Sequence, residues 1–180
     1  MIYPWHEYEW RQIAAQRQRL PHAMLFAGKR GTGKTAFARH LAQSLLCEND
    51  AADGEPCGVC PSCHLFAQNS HPDFYELAPE TPEGETAARR LPQIKIDAVR
   101  ELIEHIRLTA VRGGRRVALV HPAEAMNAQA ANGLLKILEE PPPDVVFLLV
   151  SHERDRLLPT VKSRCRQTVL PAPGRAAALE

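Results

Sequence analysis

The chain has 180 residues, 44% of them hydrophobic, and a formal charge of +1. That is enough apolar material for one buried core without covalent staples, and the small net charge excludes any global attraction to nucleic acid or anionic membranes. No apolar run approaches the roughly 20 residues that span a bilayer, and the opening MIYPWHEYEW lacks the basic and apolar regions of a leader, so a soluble cytoplasmic protein with no membrane contact is expected.

In chain order, residues 6–19 read as a polar helix. Ala23 to Ala27 form a short apolar run ending at a glycine turn, as buried strands do. Beyond the turn, Ala36, Phe37, Leu41, Leu45 and Leu46 recur at helical spacing. The stretch 47–64 breaks that period with Cys, Gly, Pro and Asp and reads as an inserted module. DFYEL (73–77) is a second strand candidate, followed by APETPEGETAARRLPQ, a segment without apolar period that is expected to be a mobile loop. Asp97 is expected to cap a helix whose Val99, Leu102, Ile103 and Ile106 share one face. GGRR then turns the chain into the strand VALV (117–120). A further helix starts near Asn127 and runs through Leu134, Leu135, Ile137 and Leu138 until PPP (141–143) stops it. VVFLLV (145–150) is apolar on both faces, as central parallel strands are, and VKSRCRQTVL supplies a short last element. Strands alternating with helices imply an α/β fold with a parallel sheet flanked by helices.

Gly28-Lys29-Arg30-Gly31-Thr32-Gly33-Lys34-Thr35 matches GxxxxGK[ST] between a strand and a helix, where the motif has physical meaning. Gly28, Gly31 and Gly33 let backbone N–H groups converge on phosphate oxygens, Lys34 reaches the β/γ-phosphates, and Thr35 can ligate Mg²⁺. Weak binding of ATP or ADP is expected, against the plainer reading of a glycine turn that holds nothing. The other half of a hydrolytic site is poor. In phosphate-loop ATPases an acid at the end of another apolar strand holds the metal, but VALV is followed by His121 and Pro122, which are unsuited to it. Glu124 lies two residues further on and is expected to point the wrong way, unless the turn is unusual.

Cys57, Cys60 and Cys63 are spaced CxxCxxC, with Cys47 ten residues upstream. Four thiolates at such spacing suit a closed tetrahedral Zn²⁺ site of structural type; a variant with His64 or His71 replacing one thiolate, or four inert thiols, are the alternatives. Cys165, remote in sequence, reads as a small buried residue. Ser163-Arg164-Cys165 follows an apolar strand, in a stretch that also holds Arg154, Arg156, Lys162 and Arg166. A solvated basic face is the plain reading. An arginine fixed by a turn at the rim of such a domain can also reach a phosphate bound to a neighbour.

Together LPHAMLFAGKRGTGKT, the cysteine cluster, AEAMNAQAANGLLKILEEPPP and SRC resemble the clamp-loader family of AAA+ proteins of bacterial DNA polymerase III, over essentially the whole chain. The resemblance implies an AAA+ phosphate-loop domain over 1–171 with a zinc module inserted at 47–64, and at 172–180 the start of a helical lid domain. It implies that Arg164 is a trans-acting arginine finger for ATP on an adjacent subunit and that Cys47, Cys57, Cys60 and Cys63 hold zinc. Ser151 or His152 stands where that family senses the γ-phosphate. Its motor subunits carry Asp-Glu where this chain has His121-Pro122, so the resemblance is to a stator-like member. The implied partners are gamma/tau and delta subunits, and through the complex the sliding clamp and primer-template DNA. A gamma/tau-type motor that hydrolyses ATP itself is the alternative, and a free-standing DNA-binding zinc module a more distant one.

Overall fold

The apolar runs become the parallel sheet that their composition predicts. The computed structural model describes residues 2–49, 51, 53–79, 92–112 and 114–174. Its strands are β1 (Ala23–Ala27), β2 (Phe74–Leu77), β3 (Arg116–Val120), β4 (Val145–Ser151) and β5 (Arg166–Val169), in spatial order β2-β3-β4-β1-β5 and parallel throughout. Helices α1 (Glu7–Ala14), α2 (Lys34–Leu46), α3 (Pro61–Ala67), α4 (Ile96–Arg107), α5 (Ala128–Glu139) and the short α6 (Pro159–Lys162) connect and cover them.

Strand alternation splits the interior into two cores. Met24, Phe26, Val117, Leu119, Val146, Leu148 and Val150 face Trp10 and Ile13 of α1 and Phe37, Leu41 and Leu45 of α2. Leu25, Ala118, Val120, Phe147 and Leu149 face Val99, Leu102 and Ile106 of α4 and Leu134 and Leu138 of α5. Each large side chain removed from water this way contributes about 1.5–3 kcal/mol, so central strands apolar on both faces are stable only when both are covered. Gly133 permits the close approach of α4 and α5, since a Cβ there would meet Ile96 Cδ1 at 2.6 Å.

Several boundaries differ from the sequence expectations, each for a local reason. The helix expected over 6–19 ends at Ala14 and continues as a 3-10 turn at Arg17–Arg19, because after Ile13 no large apolar residue anchors it until Leu20. Asp97 is not the cap of α4. Ile94 pairs with Met126 in a bridge that keeps the chain extended through Lys95, the N-cap, and Asp97 sits in the first turn bonded to Arg100 at 3.0 Å. The stretch expected to form the inserted module overlaps α3, which spans Pro61–Ala67. The last element divides into α6 and β5. Asn127 does cap α5, its side chain accepting from Ala130 N at 2.8 Å, and α5 stops before Pro141. Most of the expected mobile loop (80–91), and residues 175–180 of the expected lid segment, lie outside the described residues.

Arg116, buried at the start of β3, ties the far end of the molecule together. Its guanidinium donates to the Ile106 and Leu108 carbonyls that α4 leaves without intrahelical partners, and to Pro143 O at 2.9 Å.

Candidate functional site

The phosphate loop joins β1 to α2. Gly31 and Gly33 have φ of +79° and +87°, left-handed values that other residues adopt at a cost, and Gly33 is the N-cap of α2. The loop is held from within and without. Thr32 Oγ1 donates to Lys29 O at 3.0 Å, Trp5 Nε1 donates to Thr32 O at 3.0 Å, and Tyr3, stacked on Trp5, lies over Gly33 so closely that a Cβ there would come within 2.4 Å of its ring. Beyond the YPW run just before α1, nothing local in the sequence signals this aromatic cover. Lys34 is 1% exposed and its ammonium donates to Lys29 O. Burial lowers its pKa, and the Glu124 carboxylate opposes that shift. Thr35 follows, half-buried, in the first turn of α2.

Beside the loop stand the ends of β3 and β4. His121 Nε2 is 2.7 Å from Glu76 Oε1 on β2, and the other oxygen of Glu76 accepts from Arg39. Burial, and then Arg39, lower the His121 pKa, so the imidazole is neutral near pH 7 and engaged with Glu76. The Pro122 side chain offers no acceptor. The geometry corrects one expectation: Glu124 does not point away. A 3-10 turn at Ala123–Ala125 carries it to the end of β4, where its Oε1 accepts from His152 N at 2.9 Å. Its Oε2 is buried and unpaired, as are Ser151 Oγ and His152 Nδ1. The register pairs Ala27 of β1 with Ser151 of β4, so these atoms gather where the phosphate loop begins.

The four expected cysteines come together. Cys47 caps the C-terminal end of α2 and Cys60 the N-terminal end of α3, with their sulfurs 3.9 Å apart; Cys57 and Cys63 are 4.0 Å apart, and all four sulfurs lie within 4.8 Å of one another. Tetrahedral Zn²⁺ with Zn–S near 2.3 Å places sulfurs about 3.8 Å apart, whereas a disulfide needs about 2.05 Å, so the cluster could hold a metal ion and contains no disulfide. Backbone N–H groups of Cys57, Cys60 and Cys63 each point at a neighbouring sulfur at 3.4 Å, the pattern that favours thiolates. Hydrogen bonding led by Val59 N lowers the Cys57 pKa to about 6, while burial raises those of Cys47 and Cys63. Neither histidine alternative joins the four. His64 is exposed, and His71 is turned to Ser62: its Nδ1 accepts from Asp73 N at 3.1 Å and its Nε2 donates to Ser62 Oγ at 3.1 Å. Ser62 donates to Glu48, which also accepts from Arg112, tying the module to the turn before β3. Cys165 is buried, as expected.

Arg164 sits in the turn between α6 and β5, its side chain 28% exposed. The Nε and Nη2 donate to Glu139 Oε1 at the end of α5, and Nη1 donates to Thr160 O at 2.8 Å, so the guanidinium is oriented at the domain surface.

Comparison with known proteins gives a consistent result. A family model described as DNA polymerase III, delta subunit, matches residues 7–173. Among curated relatives named DNA polymerase III subunit delta', the chain is 49% identical to that of Pseudomonas aeruginosa, covering 99% of this chain and 52% of the relative, and 38% identical to that of Escherichia coli K12, covering 95% and 49%. It is also 38% identical to the E. coli DNA polymerase III subunit tau, covering 86% of this chain and 22% of tau. The chain thus spans about half the length of the delta' relatives. A gamma-subunit-related protein of Thermotoga maritima shares the fold, with TM-score 0.66 and 24% identity over 93% of this chain and 47% of that one.

Proposed function

Because this chain belongs to the DNA polymerase III delta' subunit family, we propose that it is the phosphate-loop domain of a clamp-loader subunit that supports ATP hydrolysis on a neighbour. In this reading it works beside gamma/tau and delta subunits to place the sliding clamp on primed DNA. In it, residues 1–171 are the AAA+ domain, 47–64 its inserted zinc module, and 172–180 the start of a lid domain.

Arg164 carries the reading. It is a partly exposed guanidinium, oriented by Glu139 and the Thr160 carbonyl at the rim of a domain whose own strand-end positions hold His121 and Pro122. A planar fork held this way suits the transition-state charge on a γ-phosphate across a subunit boundary. Glu139 would hand the fork to phosphate on docking. Cys47, Cys57, Cys60 and Cys63 would hold Zn²⁺, which when bound fixes the chain between α2 and α3. Gly28, Gly31, Gly33, Lys34 and Thr35 would bind ATP or ADP with Mg²⁺ weakly. Without a side-chain acceptor at Pro122 to orient water, turnover in this chain's own site is expected to be negligible. The intact loop and the similarity to tau favour a second reading, a motor subunit hydrolysing its own ATP.

Reconstitution of the full-length protein with gamma-type and delta subunits decides between them. Arg164→Ala should leave assembly intact and lower DNA-stimulated ATPase by a few-fold. A finger is worth about 10³–10⁵ at one site, but the remaining sites keep theirs. Arg154→Ala, in the same basic stretch, should change little. Equal behaviour of the two variants would remove the finger assignment, and ATPase by this subunit alone would favour the motor reading.

A further inference from the structure

We propose that Glu124 holds the divalent cation of a nucleoside triphosphate seated on the phosphate loop, taking over from the strand-end position that His121 occupies. The proposal rests on the reading of residues 28–35 as a nucleotide site and adds a residue to it.

The sequence position of Glu124 is wrong for this duty by three residues, and the fold corrects that. The strand-end side chain, His121, is drawn sideways to Glu76 at 2.7 Å. The chain then makes a 3-10 turn at Ala123–Ala125 that brings Glu124 back over the end of β4, where His152 N fixes one carboxylate oxygen at 2.9 Å. The other oxygen, Oε2, is buried and makes no hydrogen bond, although an unpaired buried carboxylate oxygen is costly. It has company: Ser151, fully buried, leaves Oγ unpaired, and His152 leaves Nδ1 unpaired. Ser151 lies beside Ala27, the residue before Gly28, so this unsatisfied set borders the loop whose Lys34 is itself buried. Three unpaired polar atoms beside a buried ammonium are what a phosphate–metal group would satisfy. A carboxylate repels a bare triphosphate and attracts one only through a bridging cation, so Glu124 makes binding depend on the metal. The cation is held for binding, since Pro122 cannot orient a water for attack.

Calorimetric titration of the full-length protein with ATP, in Mg²⁺ and in EDTA, tests this. Mg²⁺ should tighten wild-type binding roughly tenfold. In Glu124→Gln the variant should bind metal-free ATP as well as or better than wild type and lose most of the Mg²⁺ gain; Glu124→Asp should retain part of it, and Glu153→Gln, an exposed neighbouring carboxylate paired with Arg156, all of it. If Glu124→Gln strengthens binding equally in both conditions, the carboxylate is only the counter-charge of Lys34 and the proposal is overturned. Saturable binding with no Mg²⁺ dependence in wild type overturns it too while leaving the phosphate loop a nucleotide site. No binding by any protein overturns both.

Discussion

At the scale of single residues, the same side-chain type plays different parts according to burial. Arg116 is buried and bonded to three carbonyls, so it is a structural clamp, whereas Arg164 is partly exposed and pairs with Glu139, which is 50% exposed. An ion pair open to water to that extent is worth about 0–1 kcal/mol, so Arg164→Ala should shift the thermal midpoint very little and any loss in loader activity cannot be blamed on unfolding. Arg164→Lys should restore only part of that activity in the reconstituted ATPase assay, because an ammonium offers no planar two-point contact; full rescue would mean that charge alone is used. Phe147, fully buried at the centre of β4, is the contrasting case. Phe147→Ala should cost about 3–5 kcal/mol in urea unfolding, the transfer and cavity terms together, and a cost below 1 kcal/mol would contradict the two-core packing.

At the scale of elements, the cysteine segment is fastened to α2 and to the turn before β3 by polar contacts, and to β2 by Phe66, whose ring packs against Phe74. Ser44 Oγ donates to Gly54 O at 2.5 Å, His40 meets Glu55 at 2.7 Å, and the Ser62–Glu48–Arg112 network reaches the turn before β3. Few large apolar residues of the segment are buried, so a metal would supply much of its order. Protein purified without added metal should therefore contain one zinc per chain by elemental analysis. Cys57→Ser should raise hydrogen exchange in α3 and in the segment linking it to α2 while β1, β3 and β4 stay protected. Zinc near zero, or uniform loss of protection, would count against a structural site. The cysteine spacing made this cluster legible beforehand, because CxxC steps leave the backbone few ways to converge. The network that anchors it was not legible, since Glu48, Ser62, His71 and Arg112 share no local pattern.

For the whole molecule, burial sets the response to pH. It lowers the pKa values of His6, His40, His71, His121 and His152 below the ordinary value near 6.5. The folded chain then binds fewer protons than the unfolded one, so the stability that these neutral histidines contribute is present above pH 6.5 and is lost progressively as pH falls below it. Urea unfolding should show a clear drop between pH 7.5 and 5.5. The drop should persist in chelator-treated protein, which separates it from metal loss, and constant stability over that range would exclude this account.

Features that depend on local spacing are legible without the fold: the order of the main strands and helices, the glycine loop before Lys34, the four cysteines, and the SRC turn. Alternation of apolar residues and the limited conformations of Gly and Pro act over a few residues, so they can be read without the fold. Helix starts were less secure, as Asp97 shows, because a long-range bridge from Ile94 to Met126 decided where α4 begins. The surroundings of the phosphate loop depend on contacts between distant segments. Tyr3 and Trp5 cover it from the N-terminal side, His121 is turned away by Glu76 from a different strand, and Glu124 is brought in beside Ser151 by a turn. Those arrangements follow from strand register and from packing between residues far apart in sequence, such as Val120 and Leu149 or Ala27 and Ser151, and no local period encodes them.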